Sequence, residues 1–144
     1  MAQPTFAKEH VDRYRASNGA DGAIWTGFDG TGHFPCLLLT TKGRKSGEAR
    51  TTPLIYGRDG DDFVVIASQG GRPAHPGWYF NILEEASVEL QVEADVFAAT
   101  ARTANATERA RLWPVMAEIY PPYDDYQEKA AADREIPLVV LTRV

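Results

Sequence analysis

Residues 37–54 have the sequence LLLTTKGRKSGEARTTPL, which predicts two strands joined by a basic turn. The apolar run ends in two threonines, and Gly43 and Gly47 mark the turn. Four of the chain's 15 basic residues lie within nine consecutive positions: Lys42, Arg44, Lys45 and Arg50. Because the whole chain has a net charge of −5, this local positive charge indicates a site for a dedicated anion. Glycines let backbone N–H groups turn toward such an anion, and a solvated basic hairpin is the alternative.

The composition is that of one soluble globular domain over residues 1–144, with 44% hydrophobic and 24% charged residues. A pI near 5.2 argues against nucleic acid as a partner. No apolar run reaches the roughly 20 residues that a membrane helix needs, and no signal peptide is evident. The single cysteine, Cys36, cannot form an internal disulfide, which fits a reducing cytoplasm. Its apolar neighbours favour an inert core thiol over a nucleophile.

The N-terminal segment, residues 1–17, is predicted to form an amphipathic helix over residues 5–17. Ala7, Val11 and Tyr14 share its apolar face. Packing of this face on its own domain is the favoured interpretation. A partner subunit or a membrane surface is the alternative, so peripheral membrane contact stays open, as does the choice between monomer and homodimer.

The rest of the chain predicts strands with interspersed helices. A glycine-rich loop over residues 18–33, anchored by Trp25 and Phe28, comes first. Apolar patterns predict strands over residues 34–41, 50–58, 63–67, 88–92, 96–103 and 137–143. Helices are predicted over residues 77–85, from a cap at Asn105 or Thr107 to about Tyr120, and over residues 123–135.

Two local signals constrain how these strands pair. Pro53 favours an edge or bulge position, and Asp59-Gly60 predicts a hairpin. Short connections between strands imply antiparallel pairing. We therefore predict an α+β fold: a small barrel or strongly bent sheet of about six mainly antiparallel strands with flanking helices.

Three segments taken together resemble the deazaflavin-dependent nitroreductase family, whose members use reduced coenzyme F420, an 8-hydroxy-5-deazaflavin. They are LLTTKGRKSG at 38–47 with Arg50 and Pro53-Leu54, ASQGG at 67–71 with HPGWYFN at 75–81, and ERARLWP at 108–114 continuing to YPPY at 120–123. Their order and spacing match the family from about residue 34 to the C-terminus. The resemblance implies a split β-barrel like that of FMN-binding oxidases, with residues 34–144 as the cofactor-binding core.

The resemblance also implies which residues contact the coenzyme. The phosphate and the acidic glutamyl tail would be held by Lys42, Gly43, Arg44, Lys45, Ser46 and Arg50. The ring and its ribityl chain would be lined by Pro53, Leu54, Ile55, Ala67, Ser68, Gln69, Gly70, Pro76, Trp78, Tyr79 and Asn81. For Trp78, a place in the core is an equal alternative, because indoles bury a large area.

The implied reaction is hydride transfer from the reduced deazaflavin to a quinone, a nitroaromatic or an activated alkene. Ser68 would donate a hydrogen bond beside the ring. Tyr120 and Tyr123 would donate to the acceptor, in a substrate pocket shared with Tyr126 and Ile55. The alternative is that the tyrosines only pack at a helix junction.

Other residues have weaker claims to chemistry. His75 is the best-placed histidine for protonating a product, although a plain loop histidine is favoured. The positions of His33, Cys36 and His75 do not have metal-ligand spacing, so no metal site is predicted.

Two other classes of function stay in view. One is a binding protein of the same fold that carries the deazaflavin or a lipid-like ligand without turnover. The other is an FMN enzyme on the same barrel. FMN has a single phosphate and no glutamyl tail, so four clustered cations fit it less well.

Overall fold

The computed structural model describes residues 5–144 of the chain, with side chains from residue 7 onward. In chain order the elements are α1 (Thr5–Ala16), β1 (Ile24–Trp25), β2 (Phe34–Lys42), β3 (Ala49–Ile55), β4 (Gly57–Asp59), β5 (Asp62–Ile66), a short 3-10 helix (Gln69–Gly71), α2 (Gly77–Glu84), β6 (Ser87–Val92), β7 (Asp95–Thr103), α3 (Ala106–Ile119), α4 (Pro122–Ala130) and β8 (Leu138–Arg143). The predicted α+β order is confirmed.

The described strands form one curled sheet in the order β1-β2-β6-β7-β8-β5-β4, with β3 paired to β2 beside this path. Every neighbouring pair is antiparallel. Among the described strands β3 pairs with β2 alone, so Pro53 lies on an edge strand, as predicted. The predicted hairpin is also present, because Asp59 pairs with Asp62 across a turn in which Gly60 has a φ of 59°.

The sheet has eight strands rather than about six, because one predicted strand divides into two and a predicted loop contains a short strand. The predicted strand over residues 50–58 divides at Tyr56, whose N–H donates to the carbonyl of Pro35 at 3.1 Å. The chain there changes partner from β2 to β5. The predicted loop over residues 18–33 contains β1, which pairs with the start of β2.

Strand β2 is buried on both faces over residues 36–39, which explains the continuous apolar run at the start of the basic segment. Leu37 and Leu39 face a core cluster that includes Val65 and Leu90. Cys36 lies in a second cluster with residues of α3 and α4, such as Met116. Because side chains alternate along a strand, a segment covered on both faces carries apolar residues at successive positions rather than at every second one. Burial raises the pKa of the Cys36 thiol to about 12, which fits an inert core thiol.

Helix α1 packs on its own domain, as favoured from the sequence. Val11 and Tyr14 lie in a buried cluster with Leu38 of β2. The Tyr14 hydroxyl donates to the carbonyl of Cys36 at 3.0 Å and accepts from the N–H of Glu93 at 2.7 Å. The apolar face available for a membrane or a partner is therefore already covered by the sheet. Among the described residues, the helices all fall short of the length and apolar character needed to cross a bilayer.

One predicted anchor of the glycine-rich loop is wrong. Phe28 is 82% exposed, whereas Trp25 packs against Phe34 with a ring-centroid distance of 5.9 Å. Gly27 and Gly30 have φ values of 82° and 76°, which place the connecting residues on the outside of the loop. Trp25 belongs to β1 and packs over the sheet, while the ring of Phe28 touches Trp25 edge-on, with centroids 4.9 Å apart, and otherwise faces solvent.

An ion pair at the start of α3 makes the stability of the fold depend on pH. Glu108 accepts from Arg102 through both carboxylate oxygens, at 2.6 and 2.7 Å, and from the N–H of Asn105 at 3.1 Å. The Asn105 side chain accepts from the N–H of Glu108, which completes a capping box at one of the two predicted cap residues. The Arg102 hydrogen bonds, followed by that from Asn105, lower the pKa of Glu108 to about 2 from its ordinary value of 4.5.

A depressed folded-state pKa means that this stabilisation is complete above pH 4.5 and is lost as the pH falls toward about 2. We expect Glu108→Gln to be less stable than the wild type above pH 4.5 and to converge with it near pH 2. Thermal unfolding followed by circular dichroism across this range is the measurement. Parallel curves for the two proteins down to the lowest pH would contradict the assignment.

Candidate functional site

The basic turn, residues 42–50, is a tight loop at the end of β2 and β3. The N–H of Gly43 donates to the carbonyl of Glu48 at 2.7 Å, and that of Gly47 donates to the carbonyl of Gly43 at 2.8 Å. Gly47 has a φ of 73°, which favours glycine. All four cationic residues of the turn are exposed, and three of them, Lys42, Lys45 and Arg50, make no hydrogen bond to α2. Within residues 7–144 these three side chains make one ion pair, between Arg50 and Glu48 at 3.4 Å.

Arg44 differs from these three because its side chain packs against helix α2. Its N–H and its Nη1 donate to Oδ1 of Asn81, at 3.2 and 3.1 Å, and Nη1 also donates to the carbonyl of Gly77 at 3.3 Å. Its guanidinium lies over the ring of Phe80, 5.1 Å from the centroid. The buried Asn81 also donates to the Thr41 hydroxyl at 3.0 Å. Arg44 and Asn81 thus fix the basic turn against α2.

The Ser68 loop, residues 67–76, has an unusual backbone. Gln69, Gly70 and Gly71 have φ values of 46°, 64° and 78°, three consecutive residues in the left-handed region. This conformation is strained for a glutamine. The Gln69 side chain donates to the carbonyl of Ala74 at 3.1 Å, which closes the loop. Ser68 is half-buried, and within residues 7–144 its hydroxyl makes no hydrogen bond.

The tyrosine cluster, Tyr120, Tyr123 and Tyr126, lies where α3 meets α4. Tyr120 and Tyr123 are buried with ring centroids 4.9 Å apart, and the hydroxyls of Tyr120 and Tyr126 are hydrogen-bonded at 3.0 Å. Burial is the largest cause that raises the pKa of both buried phenols well above the ordinary value. They therefore stay protonated at neutral pH and keep a hydrogen to donate. Ile55 lies in the same apolar cluster.

The Ser68 loop and the tyrosine cluster are in contact. A Cβ added to Gly71 would lie 2.9 Å from the carbonyl oxygen of Tyr126, so only glycine allows this approach. The other side of the cluster is covered by aromatic rings that the sequence did not connect to it. Phe34 lies 5.0 Å from Tyr120 and Trp25 lies 6.0 Å from it, centroid to centroid.

Several of the predicted lining residues face the core. Trp78 and Tyr79 are buried in the first core cluster, and the Tyr79 hydroxyl is hydrogen-bonded to that of Thr103 at 2.8 Å. Leu54 packs against that cluster, whereas its neighbour Ile55 faces the tyrosines. The structure therefore assigns Trp78 to the core and divides the predicted lining of β3 between the two faces of the sheet.

A continuous row of contacts joins the basic turn to the Ser68 loop. Phe80, below Arg44, has its ring centroid 5.7 Å from that of His75. Nδ1 of His75 lies 2.9 Å from Nη1 of Arg134, and Nη2 of Arg134 donates to the carbonyl of Ser68 at 2.6 Å. Arg134 was not anticipated. Its only local signal is that it stands just before the buried strand β8.

Two candidate chemistries lose support from this geometry. Desolvation, followed by the charge of Arg134, lowers the pKa of His75, which therefore is neutral at pH 7 and resembles a loop histidine more than an acid. Among residues 7–144 no group of three or more histidine, cysteine, aspartate or glutamate side chains could hold a metal ion.

Comparison with known proteins adds an independent line of evidence. Residues 6–143 match the family described as F420H(2)-dependent quinone reductase. The chain is 41% identical to an F420H(2)-dependent quinone reductase of Mycobacterium tuberculosis over 137 residues, which cover 93% of this chain and 87% of that relative.

Two solved structures are similar over most of the fold. The first is described as an F420-H2 dependent reductase, FDR-A, with 40% identity and a TM-score of 0.68 over 74% of this chain and 93% of that chain. The second is described as a domain-swapped dimer, with 33% identity and a TM-score of 0.71 over 93% and 92% of the two chains. The curled antiparallel sheet and these similarities confirm the predicted split-barrel class.

Proposed function

The chain belongs to the F420H(2)-dependent quinone reductase family, and on that premise we propose that it is an oxidoreductase that reduces a quinone with reduced F420. The resemblance noted in the sequence and the expected coenzyme are confirmed by this membership. Among the three acceptor classes considered, the family favours the quinone. The observation that supports the proposal is the row of contacts from the basic turn to the Ser68 loop and the tyrosine cluster.

The donor set fits the coenzyme at both ends. The exposed Lys42, Lys45 and Arg50 offer charge-assisted hydrogen bonds to a phosphate and to the carboxylates of a glutamyl tail. At the other end the half-buried Ser68 hydroxyl is unpaired within residues 7–144, and the left-handed run after it would let the backbone approach a flat ligand. A single phosphate, as in FMN, would leave most of these cations unused.

When bound, reduced F420 supplies a hydride from C5 of its deazaflavin ring. The chain's own residues would bind and orient the reactants. The basic turn would anchor the tail, and Ser68 would donate a hydrogen bond beside the ring. Tyr120 and Tyr123, which burial keeps protonated, would donate to the acceptor oxygen on which negative charge develops.

The surroundings of the tyrosines would support this role. Tyr126 holds the hydroxyl of Tyr120 in place, and Trp25, Phe34 and Ile55 line the cluster with apolar surface that would exclude water once an acceptor is bound. Exclusion of water strengthens each hydrogen bond to a developing charge.

For assembly and location we favour a homodimer in the cytoplasm. The similar chain described as a domain-swapped dimer supports the homodimer over the monomer. The buried Cys36 thiol is compatible with a reducing compartment. Peripheral membrane contact through α1 has no support, because the sheet covers its apolar face.

The proposal is tested by titrating the purified protein with F420, FMN and NADPH, and then by following oxidation of reduced F420 with menadione and with a nitroimidazole. We expect F420 to bind most tightly and menadione to be reduced. Tight F420 binding without oxidation by either acceptor would favour the binding-protein alternative. FMN bound in the purified protein, together with no F420 binding, would overturn the proposal.

A further inference from the structure

The side chain of Arg134 makes four hydrogen-bond contacts to the Ser68 loop. Nε donates to the carbonyl of Arg72 at 3.0 Å, and Nη1 donates to the carbonyl of Ala67 at 3.0 Å. Nη2 donates to the carbonyl of Ser68 at 2.6 Å, and Nη1 also lies 2.9 Å from Nδ1 of His75. One guanidinium therefore engages both ends of the Ser68 loop.

Arg134 is itself held in place by α4. Its N–H donates to the carbonyl of Ala130 at 2.9 Å, and its own carbonyl accepts from Nε2 of Gln127 at 3.2 Å. Oε1 of Gln127 accepts from the N–H of Ile136 at 2.7 Å. Helix α4 ends at Ala130 rather than at the predicted residue 135, and the N–H groups of Asp133 and Arg134 both donate to the carbonyl of Ala130 as the chain turns toward β8.

These bonds set the direction of the loop's peptide groups. In a trans peptide the C=O and the following N–H point in opposite directions. Because Arg134 binds the carbonyls of Ala67 and Ser68, the N–H groups of Ser68 and Gln69 point away from it. Two consecutive donors therefore face the side opposite the guanidinium, in the residues that the family resemblance assigns to the deazaflavin ring.

The same bonds account for the strain that follows. Gln69 has a φ of 46°, and a non-glycine residue in this region persists only where its surroundings determine the conformation. The loop is held on both sides of Gln69, at Ser68 and at Arg72, by the same side chain. Without these bonds, extended conformations at Gln69 become available.

We propose that Arg134 is a positioning residue that holds the Ser68 loop in its coenzyme-binding conformation, with the N–H groups of Ser68 and Gln69 directed at the bound ligand. This inference rests on the proposed function, because it takes F420 as that ligand. Arg134 does not itself contact the coenzyme in this scheme. It acts through the carbonyls on the opposite side of the loop.

The test compares Arg134→Gln and Arg134→Lys with Arg72→Gln, which removes an exposed arginine of the same loop. F420 binding is measured by fluorescence titration. We expect the Kd to rise about 10-fold or more for Arg134→Gln, which loses the charged fork, and by less for Arg134→Lys, which keeps a single ammonium. Arg72→Gln should stay within about twofold of the wild type.

A second readout uses the protein without ligand. Histidine titration by NMR should show the pKa of His75 rising in Arg134→Gln, because a neighbouring positive charge that lowers it has been removed. The pKa of His75 should be unchanged in Arg72→Gln. Hydrogen exchange at residues 68–72 should quicken in the Arg134 variants alone. If Arg134→Gln does not fold, Arg134→Lys carries the Kd and hydrogen-exchange readouts, because it loses the fork of hydrogen bonds while keeping the charge.

The outcomes separate this inference from the proposed function. If the wild type fails to bind F420, the proposed function is wrong, and with it the ligand named here. If the wild type binds F420 and the Arg134 variants bind it equally well, the inference is overturned. A lower melting temperature with an unchanged Kd and an unchanged His75 pKa would mean that Arg134 only supports the fold.

Discussion

Lys45→Ala combined with Arg50→Ala is expected to raise the Kd for F420 by about 10-fold or more, because charge-assisted hydrogen bonds contribute roughly 1.5–3 kcal/mol each. Both side chains are exposed at the end of the β2–β3 hairpin, where solvent screening favours the lower end of that range. Their fold contacts are few, so stability should change little. Kd is measured by fluorescence titration at several salt concentrations.

The two cations should not contribute equally. Arg50 lies 3.4 Å from Glu48, which neutralises part of its charge, whereas Lys45 makes no ion pair within residues 7–144. We therefore expect Lys45→Ala alone to weaken binding more than Arg50→Ala alone. Glu48→Gln should tighten binding, because it removes the negative charge of the turn.

A matched control removes the same charge from another surface. Lys8→Ala with Arg13→Ala takes two exposed cations from α1, where they pair with Asp12 and Asp21. This variant should bind F420 as the wild type does. The basic turn would be only a solvated hairpin if the Lys45 and Arg50 double variant bound F420 as tightly as the wild type does and if added salt did not weaken that binding.

Tyr123→Phe is expected to lower kcat/KM for menadione by about 100-fold, the usual cost of removing one donor to a developing negative charge. The affinity for F420 should be unchanged, because the hydroxyl acts on the acceptor. Tyr123 is buried, and desolvation raises its pKa. Its hydroxyl makes no hydrogen bond within residues 7–144, and no fully buried polar side-chain atom there lacks a partner, so this hydroxyl keeps an opening to solvent. Its proton is therefore free to be donated.

Tyr120→Phe should lower kcat/KM as well, and a Tyr126 variant separates loss of the Tyr120 hydroxyl from loss of its orientation. The hydroxyl of Tyr120 is bonded to that of Tyr126 at 3.0 Å, so Tyr126→Phe should produce a smaller loss by releasing its orientation. Tyr56→Phe is the control, since Tyr56 is half-buried on the other core cluster, beside Phe63. Wild-type turnover of both menadione and a nitroimidazole by the Tyr120 and Tyr123 variants would show that these phenols only pack.

The local features of the fold were predictable from the sequence, because each depends on residues close together in the chain. Glycines at 43 and 47 are enough to specify a turn, and Asp59-Gly60 specifies a hairpin. Asn105 and Glu108, three positions apart, form the cap of α3 that the sequence suggested. The apolar pattern over residues 34–41 predicted a strand, and β2 is present there with a buried centre.

The predictions that were wrong concern places where contacts with residues distant in the sequence determine the backbone conformation. The strand predicted over residues 50–58 divides at Tyr56 because the chain exchanges one pairing strand for another. Phe28 was expected inside, and its loop instead turns outward at two glycines with positive φ. Neither event is visible in hydrophobic pattern alone, since the pattern does not say which strand lies alongside.

By itself the sequence determined the family, the split barrel and the cationic turn, because short motifs and their order along the chain identify all three. Only the tertiary structure decided how the site is held together. Arg134 reaches Ser68 across 66 positions, and Asn81 reaches Thr41 across 40. Such contacts exist only once the sheet has curled and brought α2, α4 and the Ser68 loop to one side, so Arg134 could not be named in advance, and Asn81 was named for contact with the coenzyme rather than for its bonds to Arg44 and Thr41.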